Sequence, residues 1–247
     1  MADQIDALLQ QMHRDYANTL KLDCIPHYHS GAPLRPVVPL DCGIGSVLVL
    51  GAYPSARFMT VDKTTDVPSA DNLGPFENER WFDGQRIRRQ PSAIELDECF
   101  LKPLGLARAE CWVTDLVKVF LFKPGHVQRY NEIGAQSPAG YERERFFDLG
   151  RASLPWIRLE LEIAKPRLLL SLGAEVAGVI HNVSHAAQQV ELLRPVVTTV
   201  SVDGYSVPTM HCAHPGILMR KSPSNPWPER NATEYVPAIR KYLGCGV

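Results

Sequence analysis

The period of apolar positions changes several times along the chain. Residues 3–21 place Ile5, Leu8, Leu9 and Met12 at helical spacing, which predicts an amphipathic helix. Residues 23–41 are rich in Pro and His and predict an irregular entry segment. Ser46-Val-Leu-Val-Leu-Gly51 is a short apolar run of buried-strand type, ending in the turn Gly51-Ala-Tyr-Pro-Ser55. Residues 56–92 are dense in Gly, Pro, Asn, Asp and Arg and read as a loop. Loops of that length are usually functional or disordered.

Residues 93–104 predict a helix that stops before Gly105. Cys111-Trp-Val-Thr-Asp-Leu-Val117 is a second buried strand, and 123–140 reads as another polar loop. Residues 141–164 predict a long helix with Pro155 as kink or boundary. Arg167-Leu-Leu-Leu-Ser-Leu172 is a third strand, after which Gly173 opens a helix over Ala174–Ile180. Residues 196–210 hold two short strands around the hairpin pair Asp203-Gly204, the second delivering His214. Residues 229–243 predict a final amphipathic helix. Strands alternating with helices predict an α/β fold with a largely parallel sheet. No repeat or linker divides residues 1–247, so one domain is expected, with 1–45 its helix and entry segment.

Composition narrows the function class. The 26 basic and 27 acidic residues leave a formal charge of −1, which excludes a broadly basic nucleic-acid binder but not a local basic groove. No apolar run approaches the ~20 residues of a membrane span, and the polar N-terminus has no signal-peptide core. A cytoplasmic protein without a membrane partner is expected. Of the six cysteines, none falls in a C-x-x-C pair, so reduced thiols are expected and a zinc knuckle has no support. Cys111 reads as core and Cys245 as free. His181 and His185, four apart, are a weak metal candidate against the commoner surface pair.

In parallel α/β sheets, sites form beyond the carboxyl ends of the strands. Four strand ends are then of interest: Gly51-Ala-Tyr-Pro-Ser55, Asp115, Gly173 and His214. With Leu73-Gly-Pro-Phe76, Thr114-Asp-Leu-Val-Lys118, Leu172-Gly-Ala-Glu-Val-Ala177 and His214-Pro-Gly216 in this order, the chain resembles the uracil-DNA glycosylase superfamily over roughly residues 46–243. The resemblance implies a three-layer α/β/α fold around a central four-stranded, mainly parallel sheet. It is nearest to the branch that carries an iron–sulfur cluster. That branch has Cys where this chain has Val119 and Ser153, and Cys24 and Cys42 do not form its upstream pair. No iron, and no other cofactor or metal, is expected.

The resemblance also implies roles. His214 matches the His that hydrogen-bonds uracil O2, where negative charge develops as the base leaves; neutral imidazole can donate there. Phe76 matches the aromatic that stacks on the extruded base. Asp115 stands where the family usually has Asn to read uracil N3–H and O4. An ionised Asp repels O4 and accepts from the amino group of cytosine instead; a protonated one imitates the amide. The first motif offers Ala52 and Tyr53 where many members hold a water-positioning side chain. One cluster-bearing family of the same resemblance uses an Asp three residues after the stacking Phe instead; Glu79 holds that position here and is therefore the candidate for orienting water or stabilising the sugar cation, with Glu77 and Asp71 in reserve. Backbone groups around Gly51, Ala52, Tyr53 and Pro54 are candidates for binding base or water, and Ser55 for phosphate.

Ile217, Leu218 and Met219 beside Arg220 and Lys221 suit a wedge into the duplex. Arg86, Arg88 and Arg89 form a candidate phosphate patch. The expected activity is hydrolysis of the N-glycosidic bond of uracil in DNA by a monofunctional, monomeric glycosylase, with uracil-containing DNA as partner. A non-catalytic nucleobase-binding member, or a glycosylase for another base, remains open at this point.

Overall fold

The computed structural model describes residues 1–20, 26–138 and 140–244; Cys24 and Cys245 lie outside them. Helix α1 (Ala2–Thr19) buries Leu8, Met12 and Tyr16. Strand β1 (Val47–Gly51) follows, then the hairpins β2 (Ala56–Val61) with β3 (Thr65–Asp71) and β4 (Arg80–Phe82) with β5 (Ile87–Arg89). Helix α2 (Pro91–Leu96) runs through a π turn (Asp97–Leu101) into α3 (Lys102–Leu104) and is stopped by Gly105, whose φ of 70° suits glycine. Then come β6 (Cys111–Asp115), α4 (Pro124–Glu132), α5 (Phe146–Ala164), β7 (Leu168–Leu172), α6 (Ala174–His181) and α7 (Ala186–Glu191). The chain ends with β8 (Thr198–Val202), β9 (Tyr205–Cys212), α8 (Pro215–Leu218), α9 (Trp227–Arg230) and α10 (Val236–Leu243).

The central sheet has five strands in the order β6-β1-β7-β9-β8. Four run parallel, and β8 pairs antiparallel with β9 at the edge. The expectation of four strands is corrected to five: the Asp203-Gly204 hairpin adds both of its strands to this sheet. Buried alternation sorts β1 between two cores. Leu48 and Leu50 join a cluster with α1 and α5, whereas Val47 and Val49 join one with α2, α3 and α10. That two-sided burial is why β1, β6 and β7 read as unbroken apolar runs.

Two predicted loops are structured. Residues 56–92 form both hairpins. Pro68 within β3 disguised the strand, and the register shifts beside it, where Ser69 of β3 is left over between the pairs Arg57 with Ala70 and Phe58 with Pro68. Within 123–140, Pro124-Gly125 opens α4, where Pro sits at the first helical position. Pro155 neither starts nor ends α5, which runs on to Ala164. Among the described residues, no helix is long and apolar enough to cross a membrane.

Candidate functional site

Beyond the carboxyl ends of the parallel strands lies a cleft of about 950 Å³. Its walls include Ala52, Tyr53, Pro54, Ser55, Phe76 and Asp115, together with Gly173, His214, Ile217 and Arg220.

Parallel register sets Gly51 beside Asp115. Leu116 N–H donates to Gly51 O at 2.9 Å and Val117 N–H to Ala52 O at 3.0 Å, which locks the two strand ends together. The space a side chain on Gly51 would need is occupied. A Cβ there would lie 2.5 Å from Phe76 Cε2 and closer still to Asp115 Oδ1. Glycine therefore lets the ring and the carboxyl meet at one point. Phe76 is 6% exposed and holds a φ of 55°, a left-handed backbone that costs energy for a bulky residue.

Asp115 is 2% exposed. Burial pushes its carboxyl up to about 7, against a smaller opposing pull from Lys118. Lys118 is itself fully buried. Its ammonium donates to Thr114 Oγ1 at 2.6 Å and Asp115 O at 2.7 Å, and pairs with Glu160. Trp112 Nε1–H donates to the other Glu160 oxygen at 2.6 Å. A paired charge thus underpins the strand end that carries Asp115.

His214 follows β9 and starts α8. Gly216 N–H donates to its Nδ1 at 3.0 Å, so the proton of the neutral ring sits on Nε2. Burial lowers its pKa, with Glu175 opposing, which keeps the ring neutral at pH 7. The site therefore offers an Nε2–H donor without a full positive charge.

Sequence reasoning missed Glu95 on α2. It lines the cleft, and its Oε2 and His214 Nδ1 both lie 3.2 Å from where a Cβ on Gly216 would sit. Burial raises its pKa, with Arg220 opposing. The only hint was an acid one residue before core-facing Leu96. Arg143 was missed too. It lies over the rings of Tyr53, at 5.1 Å, and Phe146, at 4.6 Å, and pairs with Glu175, closing one wall.

Three expectations need correction. Glu79 does not line the cleft: it is buried, and Arg57 of β2 binds its Oε2 at 2.6 and 2.9 Å. Of the reserves, Asp71 is tied to Tyr28 Oη and Arg35 N. Arg88 is not a free phosphate ligand, because it points inward to Asp66, at 2.7 Å, and Asp83, while Arg86 and Arg89 stay exposed. Leu218 is 7% exposed and faces the core, leaving Ile217 and Met219 as the apolar tips beside exposed Arg220 and Lys221.

The donor set does not fit an iron–sulfur cluster. Val119 is in the core, and Ser153 bonds the Tyr16 hydroxyl at 2.6 Å, which in turn accepts from Lys118 N. The four described cysteines are unbridged. His181 pairs not with His185 but with buried His211, Nε2 to Nε2 at 2.9 Å.

No protein-family model matches the chain, and no curated protein matches it.

Proposed function

We propose that the chain is a DNA glycosylase of the uracil-DNA glycosylase type that hydrolyses the N-glycosidic bond of a base turned out of the strand. One observation carries the reading: at Gly51 a ring and a carboxyl meet, in the same cleft as a neutral imidazole whose Nδ1 is held by the backbone. Stacking on Phe76 holds the base by its face. Asp115 reads its Watson–Crick edge; in the protonated form it donates to O4 and accepts from N3–H. As the C1′–N1 bond breaks, its electron pair moves onto the base, and His214 Nε2–H donates to the oxygen where that charge collects. Water adds to C1′ and gives up a proton. Glu95 is the carboxylate suited to take it, since burial makes it a stronger base than a free one. Ile217 and Met219 fill the gap left by the base, and Arg220 and Lys221 meet the phosphates.

A second reading, a nucleobase-binding protein without hydrolysis, is favoured by the first motif alone, where Ala52 and Tyr53 hold no carboxylate or amide for water. Both readings are tested with labelled single- and double-stranded oligonucleotides containing uracil, hypoxanthine or cytosine. Base loss that falls away in His214→Ala and Phe76→Ala supports the enzyme. Absence of base loss from every substrate by pure wild-type protein overturns it.

A further inference from the structure

The β4–β5 hairpin is inserted between two cleft-lining residues, Phe76 and Gln90, and its second strand runs directly into Gln90. Its pairs are Arg80 with Arg89, Trp81 with Arg88, and Phe82 with Ile87. Strand alternation puts Trp81 and Arg88 on one face and the other four on the opposite face. The inner face is fastened down. Trp81 Nε1–H donates to Phe58 O at 2.8 Å, Thr60 N–H to Asp83 O at 2.8 Å, and Arg88 binds Asp66. Asp83 accepts from the Gln85 and Arg86 N–H groups at 2.8 Å, which fixes the tip.

The outer face has the opposite character. Phe82 is 65% exposed and Ile87 61%. Arg80 and Arg89 are exposed and directly opposite each other, and among the described residues neither has an ion-pair partner. Like charges in that register repel, and two large apolar side chains stand in water beside them. Both penalties are relieved by a ligand that is polyanionic and has flat apolar faces. A strand of nucleic acid has both properties. A protein partner fits less well, since one side of a stable interface takes roughly 20–30 residues and this face offers four.

We propose that the outer face of the β4–β5 hairpin binds an unpaired stretch of nucleic acid beside the cleft, with Phe82 and Ile87 against a base and Arg80 and Arg89 on phosphates. The inference extends the glycosylase reading but does not need base excision to be tested. The probe is a fluorescently labelled thymidine homo-oligomer, free of uracil, titrated by anisotropy. Phe82→Ser with Ile87→Ser is expected to weaken binding about tenfold, the order of one lost stacking contact. Arg80→Glu with Arg89→Glu is expected to weaken it further and to flatten the plot of log K against log salt by about 1.4, at ~0.7 per phosphate contact on single strands. The serine variant keeps the wild-type circular-dichroism spectrum and thermal midpoint, as replacement of two side chains that stand in water predicts, so its loss of affinity reads the face and not the fold. Affinities within about twofold of wild type in both variants overturn the proposal. So does a change from dimer to monomer in the serine variant with oligomer affinity intact, which would assign the face to a second copy. Loss of oligomer affinity in a protein that excises no base supports this surface while removing the catalytic reading.

Discussion

Replacing Asp115 by Asn removes one buried ionisable carboxyl while keeping its shape. Burial lifts this group from 3.8 to about 7, a shift of about 3 units, and each unit is worth 1.36 kcal/mol. The ionised form in the folded protein is therefore disfavoured by roughly 4 kcal/mol. The sign follows from proton counts. Between about pH 4 and 7 the folded chain keeps a proton that the unfolded chain has lost, so stability falls as pH rises across that window and levels off above it. Asp115→Asn has no such loss. Urea denaturation at pH 5 and pH 8 isolates the effect, because every other group titrates alike in both proteins. Most of the window lies above pH 5, so the variant's advantage over wild type is expected to grow by about 3 kcal/mol between the two pH values. Activity should move with it. On the proposed reading, in which the protonated carboxyl faces uracil O4, wild-type excision is expected to decline as pH rises through about 7, while the Asn variant stays level there. A stability gap that changes by less than about 0.5 kcal/mol between pH 5 and 8 would show that Asp115 titrates like an exposed carboxyl and would refute the reasoning.

Gly51→Ala puts a Cβ 2.5 Å from the Phe76 ring; excision is expected to fall at least ~100-fold, as a misplaced group at the reacting centre does, with circular dichroism unchanged. Glu95→Gln is expected to lower kcat about 100-fold or more with KM little altered, read by single-turnover kinetics; an unchanged kcat removes Glu95 from the water's path. Lys118→Met strands Glu160 in the core with Trp112 as its remaining side-chain donor and is expected to cost about 3–5 kcal/mol, whereas Lys118→Met with Glu160→Leu recovers most of it. Equal losses in the single and double variants by chemical denaturation would contradict that account.

What could be read from the sequence depended on how many faces of an element are buried. β1, β6 and β7 are buried on both faces and announce themselves as apolar runs. Their ends, with Phe76 and His214, supply the residues that converge on the cleft. β2, β4 and β5 are only partly buried, β3 carries Pro68 among polar residues, and none of the four has an apolar run, so local composition resembled a loop. The Arg86–Arg89 run looked like a single cationic patch because charge was counted along the chain. In a strand, alternation sends Arg88 to the opposite face from Arg89, and Asp83 with Asp66 takes it up. Leu218 was misjudged by the same step in a helical turn. Glu95 was invisible because its helix reads as core-facing, and which acid faces the cleft depends on how α2 packs against α8.

Carboxyl groups give the clearest separation between scaffold and site. Glu160 is buried on Lys118 and Trp112, Glu79 on Arg57, and Asp83 on Arg88 and two backbone N–H groups. Each has a partner that holds its charge, and its removal should register as lost stability. Asp115 and Glu95 differ. Both line the cleft, both are raised by burial, and neither has a cation within ion-pair distance among the described residues. A buried acid without a counter-ion opposes folding, so Asp115→Asn should stabilise the chain while Glu79→Gln should weaken it. The match to the family's acid three residues after the stacking aromatic pointed to Glu79 as the reactive acid. Its ion pair with Arg57 instead makes it a clamp between β2 and the segment carrying Phe76, and on the proposed glycosylase reading the proton chemistry falls to Asp115 and Glu95.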